Sequence, residues 1–424
     1  MHVVIIGNGI AGITAALRLR TRRPDWNITV VSGESEHHYS RPALMYIFMG
    51  HLRYEDTKPF DDGVWKKRRI DLRRGWVTHI DTDKKQLVFD GQTGPLAYDR
   101  LLIATGSQPN RFGWPGEGID GVQSLYGLQD LDLLYRNTRD ATHAVVVGGG
   151  LIGIELAEML HSRNIRVTFL VRETAFWNNI IPDEEARMIN RIIEEEGLGL
   201  VLETELERIV DDGSGRVAGV VAKSGERIDC QIVGLTAGVR PNVSLAKSSG
   251  VPTARGVLVD RSLRTSIDGV YAAGDCAEIV TGDGRNLVQQ VWYTGRMQGS
   301  VAADAMAGDD VAYDPGIWFN SAKFLDLEYQ VYGAVANPAA PGEHHLFWQH
   351  EDGRKSVRIV YTEGGVVGFN LLGVRFRHEV CERWIREKRG VDYVLDRLGD
   401  ANFDPEFGRR HEDDIARAFK GQVA

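Results

Sequence analysis

Two glycine-rich turns carry the clearest chemistry in the chain. Gly7-Asn8-Gly9-Ile10-Ala11-Gly12 follows the apolar run Val3-Val4-Ile5-Ile6, and Gly148-Gly149-Gly150-Leu151-Ile152-Gly153 follows Val145-Val146-Val147. Each apolar run reads as a strand, and each turn opens a helical stretch, over 13–20 and 154–163. A GxGxxG spacing between strand and helix is the context for a dinucleotide pyrophosphate. The glycines permit a tight turn and a close backbone approach. The helix start then offers unpaired N–H donors and partial positive charge. Two such turns in one chain imply two dinucleotides, and hence electron traffic between them.

Other residues extend these turns. Glu34 follows the β-branched stretch 27–32 and has the type to bind an adenosine ribose. Arg172 and Glu173 close the strand 167–171 after the second turn. The arginine suits a ribose 2′-phosphate and the glutamate a free 2′-hydroxyl, so NADH and NADPH both stay open, with NADH slightly favoured. Ala104-Thr105-Gly106-Ser107 ends an apolar strand in small residues, which let backbone approach a ligand. Gly238 lies in the turn 237–242, and Gly274-Asp275 follows the buried-looking strand 269–273.

Several features point away from other chemistries. His37 and His38 are adjacent and their side chains diverge on an extended chain, so no metal site is expected. The three cysteines, Cys230, Cys276 and Cys381, form no CxxC pair, which disfavours a dithiol relay. The basic runs 66–69 and 73–74 read by default as a solvated face, with a docking patch for an acidic electron carrier as the other reading.

The elements that must position these groups fit within 424 residues, enough for two or three domains. A net charge of −9 disfavours nucleic-acid binding, and no apolar run approaches bilayer length. The N-terminal strand leaves no room for a cleavable signal, so the expected location is the cytoplasm and no membrane partner is expected. The spacing predicts a helix over 288–307, aromatic strands from 313 onward, and closing helices near 378–388 and 413–419.

Taken together, Gly7–Gly12, Ala104–Ser107, Gly148–Gly153 with Glu155, and Ala273-Gly274-Asp275 resemble the pyridine nucleotide-disulfide oxidoreductase superfamily. Tyr39-Ser40-Arg41-Pro42 is similar to the rubredoxin/ferredoxin reductase and nitrite-reductase-like branch. The resemblance implies an α/β fold with two Rossmann-like dinucleotide-binding domains, one inserted in the other, plus a C-terminal α+β domain. It implies FAD on 1–115 and 241–312, NAD(P)H on 116–240, and a dimer interface on 313–424.

By that resemblance Gly7, Gly9, Ile10, Ala11 and Gly12 hold the FAD pyrophosphate and Glu34 its ribose. Arg41 and Pro42 lie near the isoalloxazine, and Ala104, Thr105 and Gly106 pass along the FAD. Gly274 and Asp275 meet the ribityl-phosphate side, and Trp292 the pyrimidine ring. Gly148, Gly150, Ile152 and Gly153 hold the nicotinamide dinucleotide, with Gly238 also at the cofactor. Glu155 stands beside the reacting rings. Disulfide-reducing members carry cysteine near 40–50, where this chain has Arg41-Pro42-Ala43-Leu44-Met45-Tyr46. Many relatives also place a lysine there to pair with the glutamate. Tyr46 occupies that neighbourhood here, leaving Arg41 as the expected partner of Glu155. The implied activity passes a hydride from NAD(P)H to FAD and electrons on to a small iron–sulfur carrier such as rubredoxin or ferredoxin. An H2O2-forming oxidase or diaphorase, and a flavin-bearing subunit of a larger complex, stay open.

Overall fold

A computed structural model describes residues 1–91, 94–282 and 284–423. The first unit comprises Met1–Arg111, Ser124–Arg136 and Gly238–Pro315. Its sheet is ordered Val270–Ala272, Arg100–Ile103, His2–Ile6, Asn27–Ser32, Ile70–Arg74, and every pairing is parallel. The Val/Ile-rich strands are buried on both faces, as a parallel sheet covered by helices requires. In register, Ile6 stands opposite both Val31 and Ile103, so the strand ends that carry Gly7, Gly33 and Ala104 lie side by side.

The helix Ile10–Arg22 leaves the first glycine turn and packs its Ile13, Ala16 and Leu19 into this core. The helix Trp292–Ala307 lies against it; a Cβ on Gly299 would stand 2.3 Å from the Ala11 carbonyl oxygen, so only glycine permits that closeness.

The second unit comprises Phe112–Gln123, Asn137–Ala237 and Gly316–Ala424. Its parallel sheet runs Gly199–Val201, Arg166–Leu170, His143–Val147, Ile232–Leu235, Val122–Gln123. The helix Leu151–His161 leaves the second turn. The same unit holds an antiparallel sheet ordered Phe319–Phe324, Leu327–Gly333, Gly365–Leu372, Ser356–Thr362, His344–Gln349. Helices His378–Arg386 and Glu412–Val423 close it, with Trp384, Ile415 and Phe419 buried beneath them.

The α/β class, the two parallel sheets and the C-terminal α+β region are therefore present as read. Two groupings differ from the sequence boundaries: 124–136 packs with the first unit, and 316–424 forms one compact unit with 137–237.

Candidate functional site: two glycine turns and their buried acids

In the first turn Gly7 has φ of +110°, and a Cβ there would stand 2.1 Å from the Ala104 carbonyl oxygen. A Cβ on Gly12 would lie 2.0 Å from the Gly7 carbonyl oxygen, so helix and turn touch backbone to backbone. Gly9 differs: nothing lies within 4 Å of its would-be Cβ. Gly9 caps the helix in extended conformation with no side-chain cap, and the first turn carries no acid. The first intrahelical bond runs from Ile13 N–H to the Gly9 carbonyl at 3.0 Å. The N–H groups of Ile10, Ala11 and Gly12 therefore lack helical acceptors.

The second turn repeats the design. Gly148 has φ of +121° and donates its N–H to the Leu170 carbonyl at 2.9 Å. Gly150 is the uncapped, extended helix start, again with nothing within 4 Å of a Cβ, and Ile154 N–H returns to its carbonyl at 3.1 Å. Gly153 packs more loosely than Gly12, with Thr236 Oγ1 at 2.9 Å from a Cβ. Both turns fit a pyrophosphate, since each leaves a donor-rich helix start that a side chain would fill. Ile152 and Gly153 belong to the first turn of the second helix.

Around the first turn the acid Glu34 is half-buried and fully engaged. It accepts from Arg41 Nη1 at 2.9 Å and Nη2 at 2.6 Å, from the Leu128 N–H at 3.2 Å, and from the Tyr39 hydroxyl. Burial alone would raise its pKa; the Arg41 hydrogen bonds and charge outweigh that and hold it below the ordinary value. Arg41 also donates to the Tyr126 carbonyl and lies 4.5 Å from the Tyr126 ring centre. Arg41 is thus paired with Glu34 inside the first unit, whereas Glu155 belongs to the second. The bidentate fork matches the two oxygens of a nearby carboxylate.

The sequence reading missed Tyr39, Tyr126 and Leu128 as parts of this cluster. Tyr126 and Leu128 come from the segment that packs unexpectedly with the first unit. Burial pushes the Tyr126 phenol up to about 12, so it stays a neutral donor or acceptor beside Ser107, whose N–H it accepts at 2.8 Å.

Asp275 is half-buried, and desolvation raises its pKa. It accepts from Ser107 Oγ at 2.9 Å, and that hydroxyl in turn accepts from Gln290 Nε2 at 2.6 Å. Thr105 Oγ1 donates to the Asn242 carbonyl at 2.7 Å, and Gly106 has φ of +69°. Gly274 has φ of +80° and donates its N–H to Gln298 at 2.8 Å. Trp292 starts its helix and stays 40% exposed, with the Tyr293 ring centre 5.4 Å away and the Arg296 guanidinium over it. Pro42 sits in the short helix Arg41–Ala43, and Tyr46 stacks on His51 at 6.2 Å. Among the described residues no cluster of His, Cys, Asp and Glu forms a metal site.

In the second unit, Glu155 lies two residues past Gly153 on the same helix. Burial and then the neighbouring Glu158 charge push its carboxyl up to about 7. Glu158 itself reaches Lys323 at 3.4 Å. Arg172 Nη2 donates to Glu173 Oε1 at 2.8 Å, with Arg172 71% exposed and Glu173 22%. Gly238, in the first unit, has φ of +83°. All three cysteines are free and buried.

Residues 1–304 match the model of the pyridine nucleotide-disulphide oxidoreductases. The chain belongs to that family. Among family relatives, it is 30% identical over 390 residues to the ferredoxin–NAD(+) reductase component of the biphenyl dioxygenase system of Paraburkholderia xenovorans, spanning 92% of this chain and 94% of that one. It is 30% identical over 401 residues to the NADH oxidase of Methanocaldococcus jannaschii, spanning 88% of each. The structure superposes on the NAD-dependent persulfide reductase from A. fulgidus with a TM-score of 0.87 at 25% identity, covering all of this chain and 84% of that one. The resemblance read from four ordered motifs is therefore the family, and the chain is an oxidoreductase. No helix among the described residues is long and apolar enough to cross a membrane.

Proposed function

We propose that the chain takes a hydride from NAD(P)H onto FAD and delivers electrons to a small iron–sulfur carrier of the rubredoxin or ferredoxin kind. The observation that carries this reading is the pair of uncapped glycine-turn helices in a chain whose cysteines are all buried. The two cradles supply places for two dinucleotides, and no accessible thiol offers a disulfide route. A bound flavin supplies the step between a two-electron donor and a one-electron acceptor.

The chain's own residues bind and orient. The N–H groups of Ile10, Ala11 and Gly12 hold one pyrophosphate, and those of Leu151, Ile152 and Gly153 the other. Glu34, held by Arg41, and Asp275, held by Ser107, line the flavin side. Glu155 keeps a proton on its carboxyl below about pH 7. The exposed Lys66, Lys67 and Arg68 form a face suited to an acidic carrier. The reading extends to FAD on 1–115 and 241–312, NAD(P)H on 116–240, a homodimer formed through 313–424, and a cytoplasmic place.

Anaerobic titration of the yellow protein with NADH and NADPH tests the donor and the flavin together. Reoxidation by reduced-carrier formation, slowing as ionic strength rises, supports the docking face. The second reading, an H2O2-forming oxidase, is favoured by the similarity to an NADH oxidase. One peroxide per NADH consumed, with no carrier reduction, selects it. A protein that folds without binding FAD overturns both.

A further inference from the structure

The C-terminal helix Glu412–Val423 is seated on the antiparallel sheet of the second unit. Residues 403–410, which lead into it, are all exposed, Phe407 at 88%. His411 then turns inward and is buried, and Ile415 and Phe419 follow it into the core. Ile415 N–H donates to the His411 carbonyl at 2.9 Å, so His411 stands at the helix start. At the far end Gln422 exchanges two hydrogen bonds with the Phe347 backbone, at 3.2 and 2.9 Å. Lys420 adds an ion pair to Asp396 at 2.7 Å.

His411 is the weak point of this seat. Its Nε2 is buried and, among the described residues, has no hydrogen-bond partner. The ring lies 5.0 Å from the ring of His350 and 5.7 Å from that of Trp348. A neutral imidazole tolerates such a setting at modest cost. An imidazolium, with two N–H donors and a full charge, does not.

The surrounding charges mostly oppose a second proton. The turn after the strand His344–Gln349 brings His350 and Lys355, and Asp352 is shared between them, at 3.1 Å from His350 Nδ1 and 2.7 Å from Lys355 Nζ. The incoming segment brings Arg409, while Arg410 turns back to the Pro405 carbonyl at 3.2 Å. The helix start adds its own partial positive charge. Glu412 favours the proton, yet its carboxylate already accepts from the His411 N–H at 3.1 Å and from Asn402. Asp413 and Asp414 on the helix, and Asp392, Asp396 and Asp400 on the short helices beside it, are exposed. His345 projects from the other face of its strand than Trp348 and lies 3.3 Å from Arg358 Nη1. Burial first, then His350, Lys355 and Arg409, hold the His411 imidazole below its ordinary value. A histidine lowered in the fold contributes stability that is full above about pH 6.5 and is lost as pH falls below it.

We propose that His411 is a pH latch for the C-terminal helix: neutral, it seats Glu412–Val423 on the sheet, and once protonated it leaves the interior and releases Ile415 and Phe419 with it. The latch is independent of the oxidoreductase reading.

Hydrogen exchange of the FAD-loaded full chain at about pH 7.5 and about pH 5, read by mass spectrometry and corrected for intrinsic rates, tests it. We expect the protection of amides 416–423 to fall about tenfold between the two, since one proton taken up on opening contributes up to about tenfold per pH unit. The strand Gly365–Leu372 of the same sheet is the internal reference and should keep its protection. His411→Phe, which fills the site and carries no proton, should hold the helix equally well at both pH values. Should His411→Phe not fold, His411→Gln, also neutral, carries the comparison. Equal protection of 416–423 at the two pH values in wild type overturns the proposal. So does a fall shared equally by Gly365–Leu372, or one that persists in the neutral variant.

Discussion

Arg41 places both terminal guanidinium nitrogens on the carboxylate of Glu34, at 2.9 and 2.6 Å. The pair is partly sheltered, with Glu34 21% and Arg41 32% exposed. Removing the arginine leaves a half-buried carboxylate without its cation. We expect Arg41→Ala to cost about 2 kcal/mol, short of a fully buried pair because water still reaches Glu34. Arg41→Lys should restore the charge but not the fork, and recover only part of the loss. The sign with pH follows from the depressed Glu34 pKa. Its stabilisation is present above the ordinary carboxylate value of about 4.5 and is lost as pH falls through the lower folded value. Thermal unfolding between pH 3 and 7 checks this, and Glu34→Gln should flatten that part of the curve. An unchanged acid limb in Glu34→Gln would count against the pair.

Glu155 moves the other way. Burial and Glu158 raise its carboxyl to about 7, so it is neutral in weak acid and charged in weak base. A raised acid contributes stability that is full below about pH 4.5 and lost as pH rises to about 7. The same charge opposes an anionic dinucleotide at the adjacent helix start. We expect the Kd for NADH to rise about two- to tenfold between pH 6 and 8. Glu155→Gln should abolish that rise, and Glu158→Gln should move it to lower pH. Anaerobic fluorescence titration of NADH across this range reads it. A flat profile in wild type removes Glu155 from the nucleotide site.

The three glycines of the first turn should behave differently when given a methyl group. Gly12→Ala drives a Cβ to 2.0 Å from backbone oxygen, and Gly7→Ala adds a φ of +110° to a similar clash. Each should cost about 3 kcal/mol or more. Gly9→Ala meets nothing within 4 Å and keeps an ordinary φ of −68°. Its urea midpoint as apoprotein should equal or exceed wild type. On the proposed reading its FAD content should nonetheless fall at least about tenfold, because the methyl group would take the pyrophosphate's place. Normal FAD content in Gly9→Ala would show that the turn holds something else.

Burial disfavours thiol chemistry in this chain. Burial pushes Cys230 up to about 12 and raises Cys276 and Cys381 as well, so no reactive thiolate forms near neutral pH. We expect native protein to resist a thiol-reactive disulfide dye, with all three cysteines reacting after denaturation. Turnover should survive iodoacetamide. One fast-reacting thiol in the native state, with loss of turnover on labelling, would reopen a cysteine mechanism.

The glycine turns were legible because local sequence dictates them: a Val/Ile run, a glycine spacing and a helix start all sit within about a dozen residues. The buried clusters were not, because they join distant segments. Glu34 finds Arg41 nearby but also the Leu128 N–H, from a segment assigned by sequence order to the middle domain. Glu185 and Arg358 lie 173 positions apart, and only the fold buries one against the other. Sequence spacing does not say which carboxylate a guanidinium will reach, and Arg41 reaches Glu34.

Donor preference turns on a contact of the same kind. Arg172 is 71% exposed and its guanidinium is held by Glu173, itself only 22% exposed. While that contact lasts, the arginine's charge is partly answered and the glutamate's oxygens are the better partner for a free ribose hydroxyl. Glu173→Ala should release the guanidinium toward a 2′-phosphate. We expect the ratio of kcat/KM for NADPH over NADH to rise about tenfold or more, the scale of one charge-assisted hydrogen bond. Arg172→Ala should lower kcat/KM for NADPH and leave NADH nearly unchanged. Steady-state kinetics with both donors at fixed ionic strength decides it. If Glu173→Ala weakens both donors equally, the pair lies outside the ribose site and merely ends its strand.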